Sequence, residues 1–173
     1  MKRRNFLMLA PAALMAGCGF KLRRLEGIPF SRLRLDAPAG SAVGEVIRKS
    51  LVSAGTAQLV DTAAQAEAVL KIAPEVTSKT ILSLSGAGRV TEYRLLYRVS
   101  YSVYKPDGQP WVESELIELT RDLTYSDAAY LAKTAEETLL YNDMQYQAAQ
   151  QILRRLRSLK PQAVPVVPGN VNP

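Results

Sequence analysis

Few side chains in this sequence are of types that do chemistry, and the missing ones narrow the choices most. Histidine is absent and cysteine occurs once, at Cys18. A zinc site, a Cys/His pair and a Ser/His/Asp relay all need residues this chain cannot supply alone, and an internal disulfide needs a second thiol. What remains is carboxylates at Glu113, Glu115, Glu118 and Asp122, cations at Lys79, Arg89 and Lys133, and tyrosines at alternate positions from Tyr93 to Tyr101. Paired carboxylates can do acid and base work when a pocket and a third group accompany them. No pattern here supplies either, so a solvated strand face explains the four acids better. The tyrosines could stack on sugars or bases, although such a stripe is more often core. Lys79 and Arg89 flank a glycine-rich turn, and Lys133 falls at the start of a long helical stretch, where a positive charge opposes the macrodipole and gains nothing locally. Such a lysine is a candidate for an external anion, each phosphate contact contributing about 1.5 to 3 kcal/mol. Ordinary solvated cations are the alternative. The G-x-G within "GAGRVT", Gly86 to Thr91, leads into a strand and lacks a third glycine, so it reads as a hairpin tip and not a nucleotide loop.

Cys18 is explained by what precedes it. Lys2, Arg3 and Arg4 form a basic start, Phe6 to Ala16 is apolar, and Ala16 and Gly17 are small, which is the anatomy of a signal peptide over residues 1–17. The apolar run falls short of the roughly 20 residues a spanning helix needs. "AGC", Ala16 to Cys18, resembles a bacterial lipobox, which implies that Cys18 receives a diacylglycerol, becomes the new N-terminus and is acylated. Two or more acyl chains convert marginal association into stable anchoring. Cys18 is therefore read as a tether, with plain secretion or a buried structural cysteine as alternatives. "RRNFL", Arg3 to Leu7, resembles a twin-arginine export signal and fits an ordinary basic start equally well. Gly19, where an acidic residue could stand, resembles an outer-membrane sorting signal.

The 173 residues, 47% hydrophobic and 22% charged, suit one domain with a real core. Of the formal net charge of +6, Lys2, Arg3 and Arg4 hold three, so three remain without them. That surplus gives no support to a nucleic-acid partner.

The elements that must position these residues follow from periodicity. "SRLRLDAP", Ser31 to Pro38, reads as a short strand. A helix follows, capped by Ser41, with Val43, Val46, Ile47, Leu51 and Ala54 at helical spacing and Gly55 ending it. From Ala68 to Leu84 the even positions Leu70, Ile72, Val76, Leu82 and Leu84 lean apolar, predicting one strand interrupted at Pro74 by an edge or a bulge. After the turn Ser85–Gly88, the residues Tyr93, Leu95, Tyr97, Val99, Tyr101 and Val103 share one strand face. "KPDGQP" turns the chain into a strand from Trp111 to about Tyr125 whose alternation is blurred. Ser126 or Asp127 is the predicted cap of a long helix with Leu140, Met144, Ala148, Ile152, Leu156 and Leu159 on one stripe, ending before Pro161. Residues 161–173 are proline-rich and read as a disordered tail. The predicted fold is α+β: two helices on one face of a four-stranded, mostly antiparallel sheet in the order β-α-β-β-β-α, a single domain over residues 18–160.

Four stretches resemble one family. "GCGFKLR" (Gly17 to Arg23), "TEYRLLYRVSYSV" (Thr91 to Val103), "LAK" (Leu131 to Lys133) and "AAQQILRRL" (Ala148 to Leu156) are similar, in order and spacing, to the lipopolysaccharide-assembly lipoproteins of the LptE family. The resemblance spans about residues 18–160. It implies a non-enzymatic outer-membrane lipoprotein, anchored at the periplasmic leaflet, that plugs and helps assemble the large barrel LptD and binds lipopolysaccharide on its way to the cell surface. It implies no cofactor beyond the diacylglycerol and N-acyl chain on Cys18. A polar barrel lumen can accept a soluble domain, and the anchor raises its concentration beside the barrel. Lys133 matches the family's lipopolysaccharide-binding lysine near the long helix. The family's basic tip residue falls at Gly86, with Arg89 the nearest cation, and Lys79 stands on the other side of the tip. An auxiliary lipoprotein of another envelope lipid-transport machine is the alternative, and a lipid-anchored hydrolase using the strand carboxylates a third.

Intact mass spectrometry of the mature protein tests the tether: the chain is expected to begin at Cys18 with diacylglycerol and one further acyl group, and an unmodified polypeptide contradicts it.

Overall fold

The structure, a computed structural model, describes residues 28–159; the signal peptide, Cys18 and the proline-rich tail lie outside the described residues. In chain order these residues form β1 (Arg32–Asp36), α1 (Ala42–Ala54), β2 (Gln58–Leu59), a 3-10 turn (Ala63–Gln65), β3 (Ala68–Ile72), β4 (Val76–Leu84), β5 (Val90–Tyr104), β6 (Pro110–Thr124), a second 3-10 turn (Asp127–Ala129) and α2 (Tyr130–Ser158). Both helices share one core with the sheet, in which Leu33, Ile47, Leu70, Tyr97, Val103, Met144 and Ile152 are fully enclosed.

The sheet corrects the predicted four-stranded, mostly antiparallel arrangement in two ways. It is mixed, because β1 lies parallel to both β2 and β3, with α1 making the crossover that parallel pairing requires. It also has six strands, because the two-residue β2 is too short to leave a periodic signal and the expected strand Ala68–Leu84 is split. β3 and β4 run one after the other along the same edge of β5, and β6 takes the opposite edge.

The split has a definite geometry. Ile72 pairs with Tyr101 and Val76 with Arg98, so four steps along the β3–β4 edge face three along β5. Pro74 has no N–H to give to the ladder, and the Ala73 N–H reaches the Ser100 carbonyl at 2.8 Å before the chain bulges. One extra residue reverses which face each side chain takes. Leu70 and Ile72 face the helices, but beyond the bulge Thr77, Lys79 and Ile81 do, opposite Tyr97, Leu95 and Tyr93. The apolar even position Val76 therefore does not join the core and is 55% exposed, and Leu82, at a second register shift between Ile81 and Ser83, is 41% exposed. A similar shift lies in β6, where Val112 pairs with Val103 but Glu115 pairs with Tyr101. It accounts for the blurred alternation there.

The bulge also delivers Glu75 to the start of α1. Ser41 caps that helix, its Oγ accepting from the Gly44 N–H at 2.9 Å and donating to Glu75 Oε1 at 2.6 Å, while the Val43 N–H donates to the same oxygen at 3.2 Å. Glu75 Oε2 accepts from the hydroxyl of Tyr97 at 2.5 Å. A carboxylate at a helix N-terminus gains from the macrodipole as well as from its donors. Burial first, and then the bond to Glu75, push the Tyr97 hydroxyl pKa well above the usual tyrosine range. Gly44 keeps this corner compact, because a Cβ there would stand 3.0 Å from both Ala37 Cβ and Ser41 Oγ. Gly55 ends α1 in the left-handed region at φ 59°.

The long helix begins later than predicted. Ser126 and Asp127 belong to the 3-10 turn, Ala129 takes the cap position without a side-chain bond, and Lys133 sits in the first turn of α2. Met144, Ala148, Ile152 and Leu156 form the predicted buried stripe. No residue of α2 before Met144 is buried.

Removing the Glu75 carboxylate leaves the buried Tyr97 hydroxyl and the α1 terminus without their acceptor. Glu75→Ala is expected to lower stability by about 2 kcal/mol in urea denaturation, and Tyr97→Phe to cost less in the Glu75→Ala background than alone. Fully additive losses contradict the coupling.

Candidate functional site

The interior of the sandwich changes character along α2. Met144, Ala148 and Ile152 close it with apolar side chains, whereas the preceding turns present Tyr130, Thr134, Glu137, Thr138 and Tyr141. These five, with Lys133 from α2, Lys79 from β4, Tyr93 from β5 and Tyr125 just after β6, line a cleft of about 300 Å³ between the first half of α2 and the sheet. The cleft is the open, polar end of the core.

Lys79 stands in its floor. The bulge turned it to the helix side, two positions along from the ladder partner of Tyr93, and its Nζ lies 4.2 Å from the centroid of the Tyr93 ring and 5.9 Å from that of Tyr125. The two rings meet edge to face at 5.1 Å. Glu137 Oε2 accepts from Lys79 Nζ at 2.5 Å. Partial burial works against the ammonium charge, but the bond to Glu137 and the attraction of Glu137, Tyr93 and Tyr125 together outweigh it and hold the Lys79 pKa above the ordinary 10.5. Across the mouth, Lys133 Nζ donates to Thr124 Oγ1 at 3.1 Å and Glu136 Oε2 at 2.8 Å. The Tyr141 hydroxyl donates to the Ser78 carbonyl at 2.9 Å and pins α2 to β4. Two cations and four aromatic rings on one concave surface suit an anionic ligand with an apolar or sugar body.

Of the three cations singled out in the sequence, the structure brings Lys79 and Lys133 into this cleft and leaves Arg89 outside it. Arg89 closes the β4–β5 hairpin tip, where its N–H donates to Ser85 Oγ at 3.2 Å and its carbonyl accepts from the Ser85 N–H at 2.7 Å. Among the described residues its side chain joins no ion pair. Gly88, at φ 74°, supplies the turn. The tyrosine stripe divides: Tyr97 and Tyr101 are core, and only Tyr93 reaches the cleft.

The carboxylates do not converge. Glu115 faces the helices, where it accepts from Arg155 and from the Tyr101 hydroxyl, while Glu118 and Asp122 lie on the opposite face, bonded to Arg98 and Arg94. The Arg94 guanidinium lowers the Asp122 pKa. Glu118 and Asp122, four residues apart on one strand, are separated by about 13 Å.

The α2 contributors Tyr130, Thr134, Glu137 and Tyr141 were not singled out from the sequence, although they extend the apolar stripe at the same spacing of three or four residues. A stripe that turns from apolar to polar partway along a helix is the signal that finds them. Among the described residues, no helix is long and apolar enough to cross a membrane.

The model of the LptE family, described as lipopolysaccharide-assembly, matches residues 26–156. The chain is 28% identical over 169 residues to the LPS-assembly lipoprotein LptE of Pectobacterium atrosepticum, covering 92% of this chain and 88% of that one. It is 29% identical over 154 residues to the protein of the same name from Photorhabdus laumondii, covering 87% and 83%. Among solved structures it is similar to an uncharacterized lipoprotein B from Nitrosomonas europaea, with 41% identity, TM-score 0.70 and coverage of 80% of this chain and 90% of that one. It is also similar to the rare lipoprotein B of Shewanella oneidensis, with 30% identity, TM-score 0.65 and coverage of 73% and 94%.

Because its pKa is raised in the fold, Lys79 stabilises the protein fully below pH 10.5, and that contribution fades as pH climbs past the elevated folded value. Lys79→Met is expected to cost about 1 kcal/mol at neutral pH by losing the ion pair and the ring contact. It is also expected to show a shallower loss of stability above pH 10.5 than wild type in denaturant titrations at several pH values. Equal slopes contradict the pairing.

Proposed function

The chain belongs to the LptE family of lipopolysaccharide-assembly proteins, and from that premise we propose that it is an outer-membrane lipoprotein, tethered through Cys18, that binds lipopolysaccharide in the cleft between α2 and the sheet while seated in the LptD barrel. The role is one of binding and assembly without catalysis. Its supporting observation is the meeting of Lys79 and Lys133, from elements far apart in sequence, on one aromatic-lined concavity. Phosphate groups of the lipid engage the two ammonium groups, and the tyrosine rings offer flat faces to the attached sugars. Arg89, on the projecting hairpin tip, is available for a further phosphate.

The placement suits a plug. The domain carries polar and charged groups on the sheet face away from the helices, where Arg94–Asp122 at 2.8 Å and Arg98–Glu118 at 2.6 Å run across β5 and β6. Such a surface is at home in a polar barrel lumen.

Lys79→Ala with Lys133→Ala is expected to weaken lipopolysaccharide binding at least about tenfold, and adding Arg89→Ala to weaken it further, with the fold and recovery of a large barrel in detergent pull-downs unchanged. Wild-type affinity in the double variant at low and moderate salt refutes the site. Recovery of an inner-membrane transporter without any barrel refutes the partner.

A further inference from the structure

The helical layer covers only part of the sheet. The N-terminus of α1 is held by Glu75, one residue before β4 begins, and a helix joining two parallel strands runs back against them. The 13 residues of α1 therefore accompany β1 and β3 and stop where β4 starts. Only α2 continues over β4. Glu137 and Tyr141 bond one of its flanks to Lys79 and Ser78 of β4, and Lys133 and Asp143 bond the other to Thr124 and Arg121 of β6. Passing round α2 on the β4 side, the cleft residues Tyr130, Thr134 and Thr138 are followed by the row Leu131, Ala135 and Leu139. Ala149 and Leu153 stand on the same bearing as Leu131 and Ala135, about five turns further on. There α1 covers the flank, and the two are 0% and 2% exposed. Beyond the end of α1, Leu131 and Leu139 are 81% and 67% exposed, and Ile81, on the helix side of β4, is 56% exposed. The result is an apolar shelf, walled by α2 and floored by β4, that adjoins the cleft along its whole inner side.

Resting on the reading of the cleft as the lipopolysaccharide site, we propose that this shelf takes the acyl chains of the lipid, with Ile81, Leu131 and Leu139 as its contact residues. The neighbourhood of the shelf decides its occupant. Lys79 and Lys133 stand on its inner side and aliphatic side chains on its outer side, which is the order of phosphate and hydrocarbon in an anionic lipid. Lys79 joins the two regions, because Ile81 is the next residue on the same face of β4, about 7 Å along the strand. A lipid whose phosphate is held at Lys79 has hydrocarbon within reach of Ile81 and of the α2 wall above it. Covering these side chains removes apolar surface from water on both partners, an attraction that salt does not screen. A protein helix laid in the same place would bury the charges of Lys79 and Glu137 beneath its apolar face, which desolvation opposes. A lipid keeps its polar head in the cleft and brings only its chains to the shelf.

Two probes with the same phosphates separate head group from chains: bisphosphorylated lipid A in neutral detergent micelles, and its fully deacylated bisphosphorylated disaccharide. The full chain is expected to bind lipid A at least about tenfold more tightly than the disaccharide, a comparison that needs no variant. Ile81→Thr, Leu131→Gln and Leu139→Gln together remove hydrocarbon at three exposed positions and keep strand and helix preferences. This triple variant is expected to lose about tenfold in affinity for lipid A and less than about twofold for the disaccharide. Val52→Gln, at an exposed position of α1 away from the cleft, is expected to change neither. Equal wild-type affinity for the two probes, unchanged lipid A binding in the triple variant, or an equal loss for both probes overturns the assignment of the shelf. Unchanged lipid A binding with loss of the barrel from pull-downs overturns it in favour of a protein contact. Unaltered disaccharide binding in Lys79→Ala/Lys133→Ala is a separate failure, that of the cleft itself.

Discussion

Pro74 has no amide hydrogen to offer β5, and the chain accommodates that loss by placing four residues where the partner strand places three. Two consequences follow from this one extra residue. Glu75 swings under the first turn of α1, where it gathers Ser41, the Val43 N–H and Tyr97 into one hydrogen-bonded corner. The side chains just beyond it exchange faces, which brings Lys79 beneath α2 and sends Val76 outward. Stability of the helix and placement of the cation therefore have the same cause. Without the bulge, Lys79 would point to the solvated face and the cleft would have no floor charge.

The helix α2 is long for a domain of this size, about 43 Å for its 29 residues. Only its second half is used to bury apolar surface. Its first half stands over the sheet on polar and aromatic contacts, Lys79–Glu137 and Tyr141–Ser78 among them. Such an arrangement costs little to open locally, because it has few buried apolar contacts to break. On the proposed reading, a lipid head group enters between α2 and the sheet without disturbing the core around Met144 and Ile152. Stability at one end and access at the other are thus divided along a single helix.

Much of this was legible in the sequence wherever local chemistry decides. Ser41 and Gly55 bound α1 as predicted, because a side-chain acceptor at the start and a residue tolerant of positive φ at the end are local requirements. The alternation from Tyr93 to Val103 gave the central strand and its buried face. Pro74 marked the break. What periodicity could not show was the direction of the change it causes: the bulge inverts the faces of the residues from Val76 to Ile81, before a further register shift, so an apolar even position such as Val76 pointed to the wrong side of β4. The parallel pairing of β1 depends on the whole-chain crossover, and the cap of α2 was lost to a 3-10 turn that absorbs Ser126 and Asp127. Within the cleft, Lys133 stood out because a cation at the start of a helix gains nothing from the macrodipole, and Lys79 because it flanks the hairpin tip. Glu137 and Tyr141 did not, because their value appears only when α2 lies over β4.

The proposed reading seats lipopolysaccharide on one surface, the polar mouth of an otherwise apolar sandwich, and a covalent reporter in that mouth tests it most directly. A photoreactive amino acid at position 134, in place of Thr134 in the cleft, is compared in living cells with one in place of Leu116, 60% exposed on the far sheet face. Irradiation is predicted to yield a lipopolysaccharide adduct at position 134 and none at 116. Adducts of equal strength at both positions, or at 116 alone, would contradict the assignment of the cleft.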